Sequence, residues 1–149
     1  LSLGYNWRMS SITASLGISQ IQKLDKIIKK RQDNAHEISS KLSKSSEIMV
    51  PNTPNGFEHI YQMYTIRLRN KEIRDKLHEH LTQNRIFSKI YFKPVHLYPF
   101  YENLNIEKSN LPKTMKIYDQ VLTLPLYPNM TSEEKEYLTS NILSFFEKY

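Results

Sequence analysis

His59-Ile-Tyr-Gln-Met-Tyr-Thr-Ile-Arg-Leu-Arg69 alternates, with Ile60, Tyr64, Ile66 and Leu68 on one side and Tyr61, Met63, Thr65 and Arg67 on the other. A period of two with chemically different sides is the pattern of a strand. Asn70 follows and can cap a helix, because its side-chain oxygen accepts a backbone N–H of the first turn. The helix it opens carries Ile73, Leu77 and Leu81 on one face. Ile86 to Phe92 is rich in β-branched and aromatic residues and predicts a second strand, ended by Pro94. Val121 to Leu124 predicts a short third strand, stopped by Pro125 and Pro128.

Working outward toward the N-terminus, Pro51-Asn-Thr-Pro-Asn-Gly56 is a loop by composition. Before it, apolar residues recur at Ile12, Leu16, Ile21, Leu24, Ile28, Ala35, Ile38 and Leu42. From Ile21 onward the steps suit one face of a helix. One long helix, or two abutting ones, is expected over residues 10–43, with Ser10 or Ser11 as cap and Gly17 as a loosening point. Arg31 falls on the apolar stripe and needs a carboxylate or carbonyl partner. Toward the C-terminus, residues 95–110 read as irregular, with a helical turn near residues 98–104. Thr131-Ser-Glu-Glu134 is a capping box, and its helix carries Leu138, Ile142, Phe145 and Phe146 on one face. Short strands mixed with helices give an α+β fold class, with helices packed on a small sheet. The long first helix is large for such a domain and reads as a connector to a further one.

Composition limits the function classes. The 149 residues suit one domain with a real core. Without cysteine there is no disulfide scaffold, no cysteine catalysis and no thiolate metal site. The net charge of +6 is spread along the chain and accompanies no nucleic-acid-binding motif, so it reads as a solvated basic surface. No HExxH, Walker A or GxGxxG motif occurs, and three glycines are few for a phosphate-cradling loop. His78 and His80 are two apart on a helix and point to different sides, so no metal pair is expected. No apolar run reaches membrane-spanning length, and the start lacks the layout of a signal peptide. A first residue of Leu1 reads as a fragment or a processed product.

Two clusters carry chemistry. In Leu3-Gly-Tyr-Asn-Trp-Arg-Met9, Asn6 and Arg8 offer donors suited to a phosphate or carboxylate. In Lys89-Ile-Tyr-Phe-Lys-Pro-Val-His-Leu-Tyr98, a strand ends in a loop bearing Tyr91, Lys93 and His96. On residue chemistry alone, the first reads sooner as a loop leading into a helix, and the second as a structural turn with a structural histidine.

These clusters, taken with others, resemble the DegT/DnrJ/EryC1/StrS family of sugar aminotransferases. The matching stretches are Gly4-Tyr-Asn-Trp-Arg-Met9, Ala14-Ser-Leu-Gly17, the Gln20, Leu24 and Arg31 pattern, Arg74-Asp75, the Tyr91 to His96 segment, Leu122-Thr-Leu-Pro-Leu-Tyr-Pro128 and Met130-Thr-Ser-Glu-Glu134. They occur in the family's order across nearly the whole chain. The resemblance implies the C-terminal small domain of a type I PLP-dependent transferase fold with a long connecting helix. Residues 1–45 would be the end of the large domain and the connecting helix, and residues 46–149 the small α+β domain. It implies pyridoxal 5'-phosphate as cofactor in the complete enzyme, glutamate as amino donor, a nucleotide-linked keto sugar as acceptor, a homodimer, and a cytoplasmic role in polysaccharide biosynthesis, with no nucleic-acid or membrane partner.

By the same resemblance, Asn6 reaches the cofactor phosphate of the other subunit, and Arg8, Tyr91 and His96 bind substrate. The family's Schiff-base lysine lies a few tens of residues upstream of the Gly-Tyr-Asn motif, outside this sequence, so no catalytic residue is assigned and the chain alone is expected to be inactive. Where many relatives read Leu-Pro-x-x-Glu, this chain reads Leu111-Pro-Lys-Thr-Met115. The competing expectation is a non-catalytic remnant or interaction module with the same small-domain fold.

Overall fold

Tyr64–Arg67 (β1) and Val121–Leu124 (β2) pair antiparallel, with Tyr64 opposite Leu124, Thr65 opposite Thr123, Ile66 opposite Leu122 and Arg67 opposite Val121. In the computed structural model, which describes residues 4, 5, 7–102 and 111–148, single bridges extend this ribbon on both sides. Met49 pairs with Arg67, and Lys89 with Thr123. The side-chain period fixes the register. Tyr64, Ile66, Leu122 and Leu124 are buried in the core, while the Thr65 and Thr123 hydroxyls share a 2.9 Å hydrogen bond across the ribbon.

Helices cover the core side. They are α1 (Ser11–Ile21), α2 (Leu24–Leu42), α3 (Lys71–Gln83), the single turn α4 (Pro99–Glu102), α5 (Pro112–Gln120) and α6 (Ser132–Glu147). Ala35, Ile38 and Leu42 of α2 meet Leu77 and Leu81 of α3 and Leu138, Ile142 and Phe145 of α6 in one cluster with the strands. Each buried Leu or Ile of this kind contributes about 1.5–3 kcal/mol. Burial pushes the Tyr64 phenol up to about 12, and its hydroxyl shares a 2.7 Å hydrogen bond with Ser39.

The expected caps form. Asn70 accepts the Ile73 N–H at 3.0 Å, and Thr131 and Glu134 exchange bonds with each other's backbone at 3.2 and 2.8 Å. The expected first helix is two abutting helices, α1 and α2, separated at Gln22 and Lys23. Among the described residues of α1 none is buried, and Ile12 and Ile21 are more than two-thirds exposed. Among the described residues, no helix is long and apolar enough to cross a membrane.

Three expectations need correction. The strand expected from residue 59 starts only at Tyr64. Tyr61 has φ 48°, its N–H is taken by His59 Nδ1 at 2.8 Å, and its carbonyl is taken by Arg31. The strand expected over residues 86–92 is reduced to the bridge at Lys89. There the Ile86 N–H closes the end of α3 on the Leu81 carbonyl, the Ser88 N–H turns back to the Ile86 carbonyl, and the Ser88 hydroxyl bonds His78 at 2.7 Å. Helix α5 was not expected. Pro112 in its first turn is the sequence cue, since a missing N–H costs nothing there. The helical turn expected over residues 98–104 is present at Pro99–Glu102, and residues 103–104 lie outside the described part.

A charged cluster joins α2 to α6. Glu37 accepts hydrogen bonds from Lys135 and, at 3.1 Å, from Lys41, and Lys41 also reaches Glu136 at 2.9 Å. The Lys135 hydrogen bond, reinforced by Lys41, holds the Glu37 carboxyl below its ordinary value of 4.5. A carboxyl depressed on folding adds stability above its unfolded value, and that stability is lost as pH falls through the folded value. The stability difference between the protein and Glu37→Gln, followed by thermal unfolding, should therefore hold constant near neutrality and shrink once pH drops below 4.5.

Helix α3 ends with the Arg85 and Ile86 N–H groups returning to the Thr82 and Leu81 carbonyls, at 3.0 and 2.8 Å. This closure puts Arg85 at φ 58°, the left-handed conformation usually given to glycine. Arg85→Gly should raise unfolding stability by roughly 0.5–1 kcal/mol, the relief of the left-handed conformation less the added freedom of the unfolded chain. Urea denaturation measures it.

Candidate functional site

The Tyr91 to His96 segment leaves the sheet just after the Lys89 bridge. Its aromatic rings are engaged by its lysines, with Lys89 Nζ 5.3 Å from the Tyr91 ring centroid and Lys93 Nζ 5.1 Å from that of Tyr98. Pro94 then starts a 3-10 turn, Val95–Leu97, that turns His96 inward. His96 is 8% exposed, and its Nε2 is buried without a hydrogen-bond partner. A buried ring nitrogen left unpaired is costly and marks a place where a ligand or another polar group completes the bond. Tyr91, five residues before it, is half-buried.

The N-terminal cluster is arranged differently. Tyr5 stacks on Trp7 with centroids 5.4 Å apart, and both rings are largely exposed. Arg8 is exposed as well. Asn6 lies outside the described residues. No hydrogen bond, ion pair or ring contact among the described residues links Arg8 to Tyr91 or His96. Tyr91 and His96 thus share one segment, while Arg8 stands on another.

The region beneath is held by Arg31. Its guanidinium donates to the carbonyls of Tyr61 at 2.9 Å, Gln62 at 3.4 Å and Leu126 at 3.2 Å. Asn34, one turn on, donates to the Tyr127 carbonyl at 2.9 Å. These bonds pin α2 to the turn before β1 and to the loop after β2. Rings of His36, His59 and Tyr64 surround Tyr61 at 4.3–6.2 Å between centroids, which secures its left-handed turn. Arg74, buried in α3, donates to Asp75 and to the Tyr118 carbonyl and lies over the Tyr118 ring, so it fastens α5. The sequence pattern singles out Arg31 as needing partners but gives no sign of Arg74's role. Met115 is half-buried in the first turns of α5.

A PLP site needs a phosphate cradle and a lysine facing the ring. The described residues do not supply both. Lys89 and Lys93 lie over aromatic rings, Lys41 and Lys135 are bound to Glu37, and Arg8 is alone on an exposed segment. Depressions of about 440, 650 and 540 Å3 are lined by none of Arg8, Tyr91, Lys89, Lys93 and His96. Among the described residues no group of His, Asp and Glu side chains is placed to hold a metal ion.

A two-stranded ribbon under helices, with a buried histidine on a strand-end loop, defines a mixed helix-and-sheet unit. Comparison with known proteins gives its family. The model of the DegT/DnrJ/EryC1/StrS aminotransferase family matches residues 1–143, and the chain belongs to that family. Among its relatives, GDP-perosamine synthase of Vibrio cholerae is 32% identical over 146 residues, which is 97% of this chain and 39% of that protein. Among solved structures, S. venezuelae DesV in complex with a ketimine intermediate superposes with TM-score 0.91 at 26% identity, over 99% of this chain and 39% of that one. The PLP-form of the sugar aminotransferase Spr1654 from Streptococcus pneumoniae gives 0.86 at 26% identity, over 95% and 36%. The chain therefore spans about two-fifths of the length of these relatives.

The carbonyls that Arg31 binds are otherwise left short of donors, and an unmet buried acceptor costs about 1–3 kcal/mol. Arg31→Met should lower stability by roughly 2–4 kcal/mol. Amide hydrogen exchange should rise around residues 59–63 and 126–128 before it rises in α3 or α6.

Proposed function

We propose that this chain is the C-terminal part of a PLP-dependent sugar aminotransferase. In this reading residues 1–45 complete a large domain and connect it to a small α+β domain, residues 46–149, of the type I transferase fold. The observation that carries the reading is the continuous family match over residues 1–143, with its seven motifs in order. The assembled enzyme moves the amino group of glutamate to a keto carbon of a nucleotide-linked sugar, as a cytoplasmic homodimer.

PLP supplies the electron sink when bound. This chain's own residues bind and orient. Asn6 donates its amide N–H groups to the cofactor phosphate across the dimer, and a neutral donor suits a group whose charge other residues already balance. Arg8 orders that loop or meets substrate. Tyr91 and His96 face the sugar-nucleotide, with the unpaired His96 Nε2 as the atom that gains a partner. The lysine that tethers the cofactor belongs to the upstream region of the family, so these 149 residues alone do not perform the transfer.

The test compares the 149-residue chain with the same chain carrying its natural upstream segment. The extended polypeptide should show the visible absorption of bound PLP and transfer nitrogen from glutamate to a nucleotide keto sugar, and the short chain should do neither. In the extended protein His96→Ala should raise KM for the sugar with PLP absorption unchanged, while Asn6→Ala should weaken PLP retention. An extended protein that binds no PLP would favour a non-catalytic interaction module, and activity in the short chain would overturn the division of labour.

A further inference from the structure

The end of α3 presents a second, unassigned feature. Arg85 occupies a left-handed position that glycine would fill without strain, and its guanidinium has no partner among the described residues. Strain retained at one position calls for a reason in the side chain. Two residues on, Phe87 is 85% exposed. Between this turn, the loop after β2 and the start of α6 lies a depression of about 230 Å3, lined by Phe87, Tyr127, Met130 and Tyr137, with Arg85 and Glu134 as its charges.

The walls are held in place. The Tyr137 hydroxyl donates to the Asn84 carbonyl at 3.2 Å. Glu134 accepts the Thr131 N–H at 2.8 Å and a hydrogen bond from the Tyr127 side chain, which leaves its carboxylate ionised with acceptor capacity to spare. Arg85 and Glu134 face the same depression, yet form no ion pair with each other. Opposite charges left apart over an apolar floor disfavour a purely anionic or cationic ligand and suit one that carries both charges. The volume lies below the roughly 300–1,000 Å3 of drug-sized pockets, which limits the occupant to something of single-residue size.

We propose that this depression binds a free α-amino acid with an apolar side chain, its carboxylate on Arg85, its ammonium on Glu134 and its side chain against Phe87 and Met130. A guanidinium takes a carboxylate in bidentate fashion, and the exposed aromatic rings offer apolar surface to the ligand's side chain. None of Asn6, Arg8, Tyr91 and His96 lines the depression, so the site stands apart from the one proposed for cofactor and sugar.

Calorimetric titration of the full chain with L-phenylalanine and L-leucine tests it. Saturable binding is expected, with hydrocinnamate, which lacks the ammonium, and phenethylamine, which lacks the carboxylate, each roughly tenfold weaker or more. Arg85→Gly should weaken L-phenylalanine by at least roughly tenfold while unfolding at higher urea than the parent, so loss of binding is not loss of fold. Absence of saturable binding by the parent, equal binding of either truncated analogue, or unchanged binding in Arg85→Gly would each overturn the proposal. None of these outcomes bears on PLP binding by the extended protein.

Discussion

The guanidinium of Arg31 is the contact on which the rest of the arrangement depends. It comes from the middle of α2 and closes on three carbonyls from two distant parts of the chain, Tyr61 and Gln62 on one side and Leu126 on the other. All three bonds come from Nη1, which carries two N–H groups, so the longest, to Gln62, shares a donor with one of the others. The two segments it binds are those that enter β1 and leave β2. The approach to one strand and the exit from its partner are therefore tied to one side chain on a helix. Helix α2 is thereby fastened to both strands.

The parts of the fold set by local chemistry were legible in the sequence. Asn70 and the Thr131/Glu134 pair announce helix starts because their side chains satisfy N–H groups within their own turn. The core faces of α3 and α6 follow from spacing alone, with Leu77, Leu81, Leu138 and Ile142 buried. Short strands were less legible. Residues 59–63 and 86–92 have the composition of strands, but backbone groups that would have joined a ladder are spent elsewhere, on Arg31, on His59 and on the end of α3. Those bonds are long-range or depend on a left-handed residue, and a window of alternation does not reveal them. Only an arginine lying on an apolar stripe gave notice that carbonyls would be diverted.

The candidate site was legible by resemblance more than by chemistry. Nothing in the spacing of Tyr91 and His96 distinguishes a ligand-facing pair from a structural turn. The structure adds the unpaired, buried Nε2 of His96 at the end of a strand-end loop. It brings no contact between that segment and Arg8, whose segment is exposed. Apolar residues left exposed along α1 and at Tyr5 and Trp7 share a physical reason with this gap. A helix with apolar residues and no buried face is an exposed apolar surface.

The sheet's topology has a consequence for how the chain reaches this structure. β1 and β2 are adjacent in space, yet the paired Thr65 and Thr123 are 58 positions apart. Every productive encounter of the two strands must close a loop that contains α3, the Tyr91 to His96 segment and α5. Loop closure of that length is unrewarded until the strands meet, and non-local pairings of this kind slow folding relative to a fold of local contacts. Helices α3 and α6, with their own caps, can form before that event. The contacts that join α2 to α6 close a still longer loop, with Lys135 and Glu37 98 positions apart, so the core as well as the ribbon rests on non-local pairing.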